Sequence, residues 1–196
     1  MVSRQLRRRD IADERVLVAM EQVPRELFVD EADRRRAYDD IPLSIGFGQT
    51  ISQPYMVALI CQTAGVGPGH RVLDIGTGSG YQAAVLAELG ADVHTVERIP
   101  ELAERAREAL ASAGYDRVQV HVGDGSLGLA PEGPFDAVVV AAAAPDMPEP
   151  LYEQLVPGGR LVVPVGGPNG QRLQVAVRSP EAVSYTHLTL PTTPYV

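Results

Sequence analysis

The stretch Arg71-Val-Leu-Asp-Ile-Gly-Thr-Gly-Ser-Gly80 constrains this chain more than any other. Arg71 to Ile75 has the apolar and β-branched character of a buried strand, three glycines follow at Gly76, Gly78 and Gly80, and a helix-like run begins at Tyr81. Strand, glycine turn and helix in that order suit a nucleotide ligand. Glycine lacks the Cβ that would hold a ligand off the backbone, and Asp74 sets a carboxylate beside the turn. The spacing narrows the ligand. A dinucleotide fingerprint, G-x-G-x-x-G, would need a small residue at position 81, where this chain has Tyr81.

Around this turn the chain alternates strand and helix. Tyr55 to Ala64 reads as a helix, Arg71 to Ile75 as a strand, Tyr81 to Leu89 as a helix and Asp92 to Glu97 as a strand. Pro100 to Ala113 is helical with Pro in its first turn, followed by strands at Val118 to Val122 and Asp136 to Ala141, a short helix at Leu151 to Leu155 and a strand at Arg160 to Val165. Such an order predicts an α/β fold, a doubly wound and mostly parallel sheet with helices on both faces. Gln171 to Ser179 alternates and adds an antiparallel strand near the far edge. Ahead of the sheet, Ile11 to Val23 has helical spacing with Asp13 and Glu14 near its start, and Arg34 to Arg36 reads as a solvated helix face. Residues 41–55 hold two glycines and two prolines yet are too apolar for a solvated linker, which predicts a loop packed down over something.

In an open parallel sheet the ligand sits beyond the carboxyl ends of the strands. Those ends here are Asp74, Glu97, Asp124 and the segment Ala141 to Pro145. Glu97 follows Gly76 by 21 residues, at the end of the second core strand. A carboxylate there can accept from both ribose hydroxyls of S-adenosylmethionine or of a dinucleotide. Asp124, in Gly123-Asp-Gly125, can take an adenine amino group, and the flanking glycines let the ring approach the backbone. The pattern D-x-G-x-G-x-G itself is similar to the first motif of class I S-adenosylmethionine-dependent methyltransferases, whose core is a Rossmann-like sheet.

A more specific resemblance runs from near the N-terminus to about Gly167. Val23-Pro-Arg-Glu-x-Phe-Val29, Gly46-Phe-Gly-Gln-Thr-Ile-Ser-Gln-Pro-Tyr-Met56, Val72-Leu-Asp-Ile-Gly-Thr-Gly-Ser-Gly-Tyr-Gln82, Val96-Glu-Arg98 and Gly123-Asp-Gly125 occur in that order. Together they resemble the protein-L-isoaspartate O-methyltransferase family, and the Q-T-I-S-Q-P stretch is specific to it. The resemblance implies S-adenosyl-L-methionine as cofactor and isoaspartyl-containing proteins and peptides as substrates, methylated on the α-carboxylate. It makes Ser52 the active-site serine, and places Gln49, Thr50, Ile51, Ser52, Asp74, Gly76, Gly78, Glu97, Asp124 and Gly125 around the cofactor. Ser52 is expected to hold one carboxylate oxygen through its hydroxyl, and it also stands where a helix beginning at Pro54 would be capped. A carboxylate nucleophile has a pKa of about 4 and needs no strong base.

Composition sets the bounds. The 196 residues suit one domain, and a net charge of −8 argues against a nucleic-acid surface. All basic residues are arginine. The most apolar run, Phe135 to Ala144, is about half the length of a membrane span. The one cysteine, Cys61, lies in an apolar run and reads as core, and with no signal-peptide pattern behind Arg7 to Arg9 a cytoplasmic monomer is expected. His70, His94 and His121 are too scattered to suggest a metal site.

Val183-Ser-Tyr-Thr-His-Leu-Thr-Leu-Pro-Thr192 resembles a translated sequencing adapter, so residues 183–196 are expected to be a non-native tail and carry no weight in the fold assignment. The domain is then 1–182, with N-terminal helices and a substrate and cofactor loop over 1–64 and the core over 65–182, its native last strand missing. That leaves three alternatives: a weakly active or inactive cofactor-binding fragment, a methyltransferase for another substrate, and a nicotinamide oxidoreductase, which Tyr81 disfavours.

Overall fold

In the computed structural model, residues 1–142, 144–167, 170–179 and 184–189 are described, with backbone alone for 167, 170 and 184–189. Helix α1 (Glu14–Gln22) starts later than its periodicity suggests, because Asp13 caps it by accepting from the Arg15 N–H at 2.9 Å. Two 3-10 turns follow at Arg25–Phe28 and Glu31–Arg36, the second carrying Arg34 to Arg36 in solvent. The expected loop is a small antiparallel hairpin, β1 (Leu43–Gly46) and β2 (Gln49–Ile51). Its turn places Gly46, Phe47 and Gly48 at positive φ. Leu43, Ile45 and Ile51 face the core, so apolar burial holds these short strands down.

Helix α2 (Pro54–Ala64) has Pro in its first turn, and Gln53, not Ser52, is the residue that precedes it as N-cap. Then come β3 (Arg71–Ile75), α3 (Tyr81–Glu88), β4 (Asp92–Glu97), α4 (Pro100–Ser112), β5 (Gln119–Val122) and β6 (Phe135–Val140). The expected short helix is α5 (Glu149–Tyr152), displaced toward the N-terminus, and β7 (Leu155–Gly167) is longer than its apolar run. Leu155 is fully buried and pairs with Phe135, which extends the strand backward across Pro157 and two glycines. The chain closes with β8 (Gly170–Val177) and β9 (Ser184–Thr189).

The seven strands lie in the order β5-β4-β3-β6-β7-β8-β9, with the first five parallel and the last two antiparallel. A mostly parallel sheet flanked by helices is the predicted class. Its faces are covered unequally. Val72, Val93, Ala137, Val139 and Val162 belong to one core with residues of α1 to α4, whereas Leu73, Val138, Val140, Leu161 and Val163 pack with Leu151 of the four-residue α5. Neighbouring residues on a strand point to opposite faces, so Val72 and Leu73, both wholly buried, serve different cores. Truncating either class of core side chain to Ala costs roughly 2–5 kcal/mol. Cys61 sits in the first core, where burial pushes its thiol pKa upward, as expected for a packing residue.

Strand β9 falls within the segment expected to be a non-native tail. Ser184 to Thr189 pair along β8, from Val177↔Ser184 to Arg172↔Thr189. Positions 183 and 190–196 of the same segment are outside the described residues. His94 and His121, far apart in sequence, meet because β4 and β5 are neighbours. Their rings stack at 5.5 Å, with Nδ1 of His94 3.3 Å from Nε2 of His121, and burial lowers the pKa of His94.

Candidate active site

The sheet order reverses at β3, where β4 lies on one side and β6 on the other, and a crevice opens beyond their carboxyl ends. The glycine turn forms its floor. Gly76 and Thr77 donate to the Val96 carbonyl at 2.9 and 3.2 Å, and Gly80 donates to the Thr77 carbonyl at 2.8 Å. Gly76, Gly78 and Gly80 have φ of 91°, 53° and 88°, a region that a side chain at any of the three would strain. This turn tethers the end of β3 to β4 and opens into a cavity of about 540 Å³, within the size range of small-molecule sites.

Glu97 is 6% exposed on the wall of this cavity. Its Oε2 accepts from the Gly78 N–H at 2.9 Å and its Oε1 from the Ile99 N–H at 3.0 Å. Each oxygen keeps a further lone pair, and together they can receive two hydroxyls from one ligand. Asp124 also lines the cavity. Its Oδ1 accepts from the Ser126 N–H at 2.9 Å, and hydrogen bonding from the backbone and side chain of Ser126 holds its pKa below the usual carboxylate range. The role of Gly125 is more specific than the sequence suggested. A Cβ there would stand 2.7 Å from Cγ2 of Ile75, so the close approach is to β3 beneath it.

The hairpin brings the second group of residues. Gly48, Gln49, Thr50, Ile51 and Ser52 all line the same cavity as Gly76, Gly78, Glu97, Asp124 and Gly125. Nine of the ten residues expected at the site are therefore brought together. Asp74 is the exception. It is wholly buried and absent from the wall, with Oδ1 accepting from Gln82 Nε2 at 2.8 Å and Oδ2 from the Thr95 hydroxyl at 2.9 Å. Thr95 in turn lies 2.7 Å from the hydroxyl of Thr77, which does line the cavity. Because Asp74 is the acceptor for Thr95, Thr77 is the donor to Thr95. Asp74 therefore acts from below, through Thr77 and Gln82, and burial raises its pKa to about 6.

Sequence reasoning missed several lining residues. Thr77, Tyr81, Gln82 and Arg98 fall inside the quoted motifs and were legible there without a role. Ala141, Ala142, Ala144 and Pro145 form the wall expected from the end of β6, with Ala143 outside the described residues. Arg25 likewise falls inside the quoted Val23 to Val29 motif, without a role. Its guanidinium is wholly buried behind the hairpin and donates to the Ser52 carbonyl at 2.7 Å.

One chamber thus joins a nucleoside-type pocket to the Q-T-I-S segment. Residues 1–193 match the family described as Protein-L-isoaspartate(D-aspartate) O-methyltransferase (PCMT). The chain belongs to this family. Among relatives, it is 58% identical to a protein-L-isoaspartate O-methyltransferase of Methanoculleus marisnigri over 166 residues, 85% of this chain and 76% of that one. It is 53% identical to protein-L-isoaspartate O-methyltransferase 1 of Syntrophobacter fumaroxidans over 188 residues, 96% of this chain and 88% of that one. Among solved structures, the fold matches a Plasmodium falciparum beta-aspartate methyltransferase in complex with S-adenosyl-L-homocysteine. That likeness has a TM-score of 0.82 at 28% identity and covers 96% of this chain and 93% of the other.

Proposed function

We infer that this chain transfers a methyl group from S-adenosyl-L-methionine to the α-carboxylate of L-isoaspartyl residues in damaged proteins and peptides, the first step of their repair. The observation that carries this reading is that Ser52 and Glu97 line one cavity above one glycine turn. The residues fit the cofactor. Positive-φ glycines open the floor, Glu97 has lone pairs for the ribose hydroxyls, and Asp124 Oδ2 has one for the adenine amino group. Oε1 of Gln82, a residue of the cavity wall, is a buried acceptor without a donor among the described residues.

When bound, the cofactor would supply a methyl carbon on a positively charged sulfur: the carboxylate oxygen would bond to that carbon with its own electron pair, and the C–S pair would stay on sulfur in neutral S-adenosyl-L-homocysteine. The protein's part is alignment. The acceptor is already ionised at neutral pH, since its pKa is about 4, and so needs no general base. The cavity wall accordingly includes neither His nor Cys among the described residues. Ser52 donates its hydroxyl to one carboxylate oxygen and leaves the other to react. Holding two reactants in register is worth up to about 7–11 kcal/mol of barrier. The apolar wall of Val57, Ile75, Val140 and Leu151 excludes water from a step in which opposite charges cancel.

Label transfer from S-adenosyl-L-methionine to an isoaspartyl peptide, with none to its aspartyl isomer, is the expected result. Equal labelling of both would overturn the assignment. We further propose that the chain acts as a cytoplasmic monomer on protein substrates, without nucleic acid or membrane partners. The net charge of −8 supports this, and among the described residues no helix is long and apolar enough to cross a membrane. Sedimentation showing a stable dimer would remove the monomer from that reading. Residues 183–196 are proposed to be non-native, so that β9 is a borrowed strand; the nucleotide sequence around Ala182 decides this.

A further inference from the structure

Arg25 is an unusual cation. It is 0% exposed, and the ion pairs among the described residues do not include it. Its Nε donates to the Ala37 carbonyl at 2.7 Å, its Nη2 to the Ser52 carbonyl at 2.7 Å, and its Nη1 has no acceptor among the described residues. The guanidinium lies over the Tyr81 ring, 4.6 Å from the centroid, and Tyr81 lines the cavity. The nearby carboxylate, Asp40, is otherwise engaged: its Oδ2 lies 2.8 Å from Arg9 Nη1 and its Oδ1 accepts from the Tyr55 N–H at 3.0 Å. Burial lowers its pKa to about 10, still well above neutrality. The site therefore keeps a full positive charge in a dry place, a costly arrangement for a residue that merely fills space.

The acceptor brings the missing anion. On the reading that this chain methylates a carboxylate beside Ser52, the substrate must shed water from a negative charge, and the lining residues Glu97 and Asp124 oppose that charge. We propose that Arg25 is a positioning residue for the acceptor carboxylate, holding the Ser52 backbone by its carbonyl and supplying from behind it the positive charge that offsets desolvation of the substrate. Direct contact is not required. A buried charge acts over several ångströms because the surrounding medium screens it weakly. The fork geometry matters as well, since two carbonyls on different segments are held by one planar group.

The test measures KM for an isoaspartyl peptide, kcat and S-adenosyl-L-homocysteine affinity in wild type, R25K, R25Q, S52A and the two double variants. R25K keeps the charge and R25Q removes it. We expect KM to rise in the order wild type, R25K, R25Q, reaching about tenfold or more in R25Q, while kcat and S-adenosyl-L-homocysteine affinity change by less than about threefold. In the S52A background the Arg25 substitutions should add little, because both act on one group. Multiplying effects in the double variants would overturn the proposal, as would a parallel loss of S-adenosyl-L-homocysteine binding or an unchanged KM in R25Q. If R25Q does not fold, the cycle of R25K with S52A decides alone by the same criterion. A wild type that ignores isoaspartyl peptide overturns the function itself and the acceptor role with it; a wild type that methylates the peptide confines any failure to Arg25.

Discussion

Gln82 Nε2 donates to Asp74 Oδ1 across 2.8 Å, joining the first turn of α3 to the end of β3 beneath the glycine loop. The bond converts a carboxylate that looked like a ligand contact into a support. Both oxygens of Asp74 are engaged from within the protein, and the residues that stand on the cavity wall are Gln82, its direct partner, and Thr77, linked to it through Thr95. The turn is thereby fixed before any ligand arrives, which reduces the ordering cost of binding.

Asp74 should make stability depend on pH. Burial raises its pKa from 3.8 to about 6, so between those values the folded protein binds the proton more readily than the unfolded chain. Wild-type stability therefore falls as pH rises through that window, and above it the burial penalty is fully present, on the order of 3 kcal/mol. Asp74→Asn removes the penalty at some cost in charge-assisted hydrogen bonds. Urea unfolding should show the variant to be the more stable at pH 8 by on the order of 1–3 kcal/mol, with the gap narrowing toward pH 4. A gap constant over that range would mean that Asp74 does not titrate as its burial implies.

Glu97→Gln tests the ribose contact. The two carboxylate oxygens accept from Gly78 and Ile99, and an amide can satisfy only one of them while turning its NH2 toward the other. The loss should be about 1–3 kcal/mol in binding, or roughly 5- to 150-fold in Kd for S-adenosyl-L-homocysteine. Calorimetric titration reads it directly. An affinity equal to wild type would remove Glu97 from the cofactor site.

What the sequence made legible follows from which distances it encodes. The glycine turn and the parallel strands were readable, because strand period, turn glycines and strand-end acids are local signals. The hairpin was not, since strands of four and three residues joined by a turn with Phe47 at positive φ carry no period to detect. Inward rotation of Asp74 depends on Thr95, 21 residues away, and the task of Arg25 depends on Ser52, 27 residues away. Pairing of His94 with His121 needed the adjacency of β4 and β5. The adapter-like sequence of residues 183–196 carries no weight in the fold assignment, yet the edge of β8 offers backbone partners to an extended segment that follows it, and residues 184–189 pair there.

Gly125→Ala should disturb β3 before it disturbs the ligand. The added methyl would meet Cγ2 of Ile75 at 2.7 Å, and that atom is anchored on a strand that cannot retreat. Overpacking of this kind costs typically about 1–3 kcal/mol. Ile75→Ala opens the space, so the double variant should be less destabilised than the sum of the two singles. Additive losses in urea melts would place the strain elsewhere.

Ser52→Ala separates binding of the cofactor from handling of the acceptor. Ser52 lines the cavity, and its carbonyl is already committed to Arg25, so the variant keeps the backbone anchor and loses only the hydroxyl. If that hydroxyl donates to an ionised carboxylate, its removal costs about 1.5–3 kcal/mol, or roughly 10- to 150-fold in kcat/KM for isoaspartyl peptide. Affinity for S-adenosyl-L-homocysteine should stay within about threefold, because the purine, ribose and glycine-turn contacts are untouched. The two numbers must diverge. A drop in both would make Ser52 part of the cofactor's seat alone, and a drop in neither would leave the acceptor carboxylate to the backbone N–H groups of the hairpin.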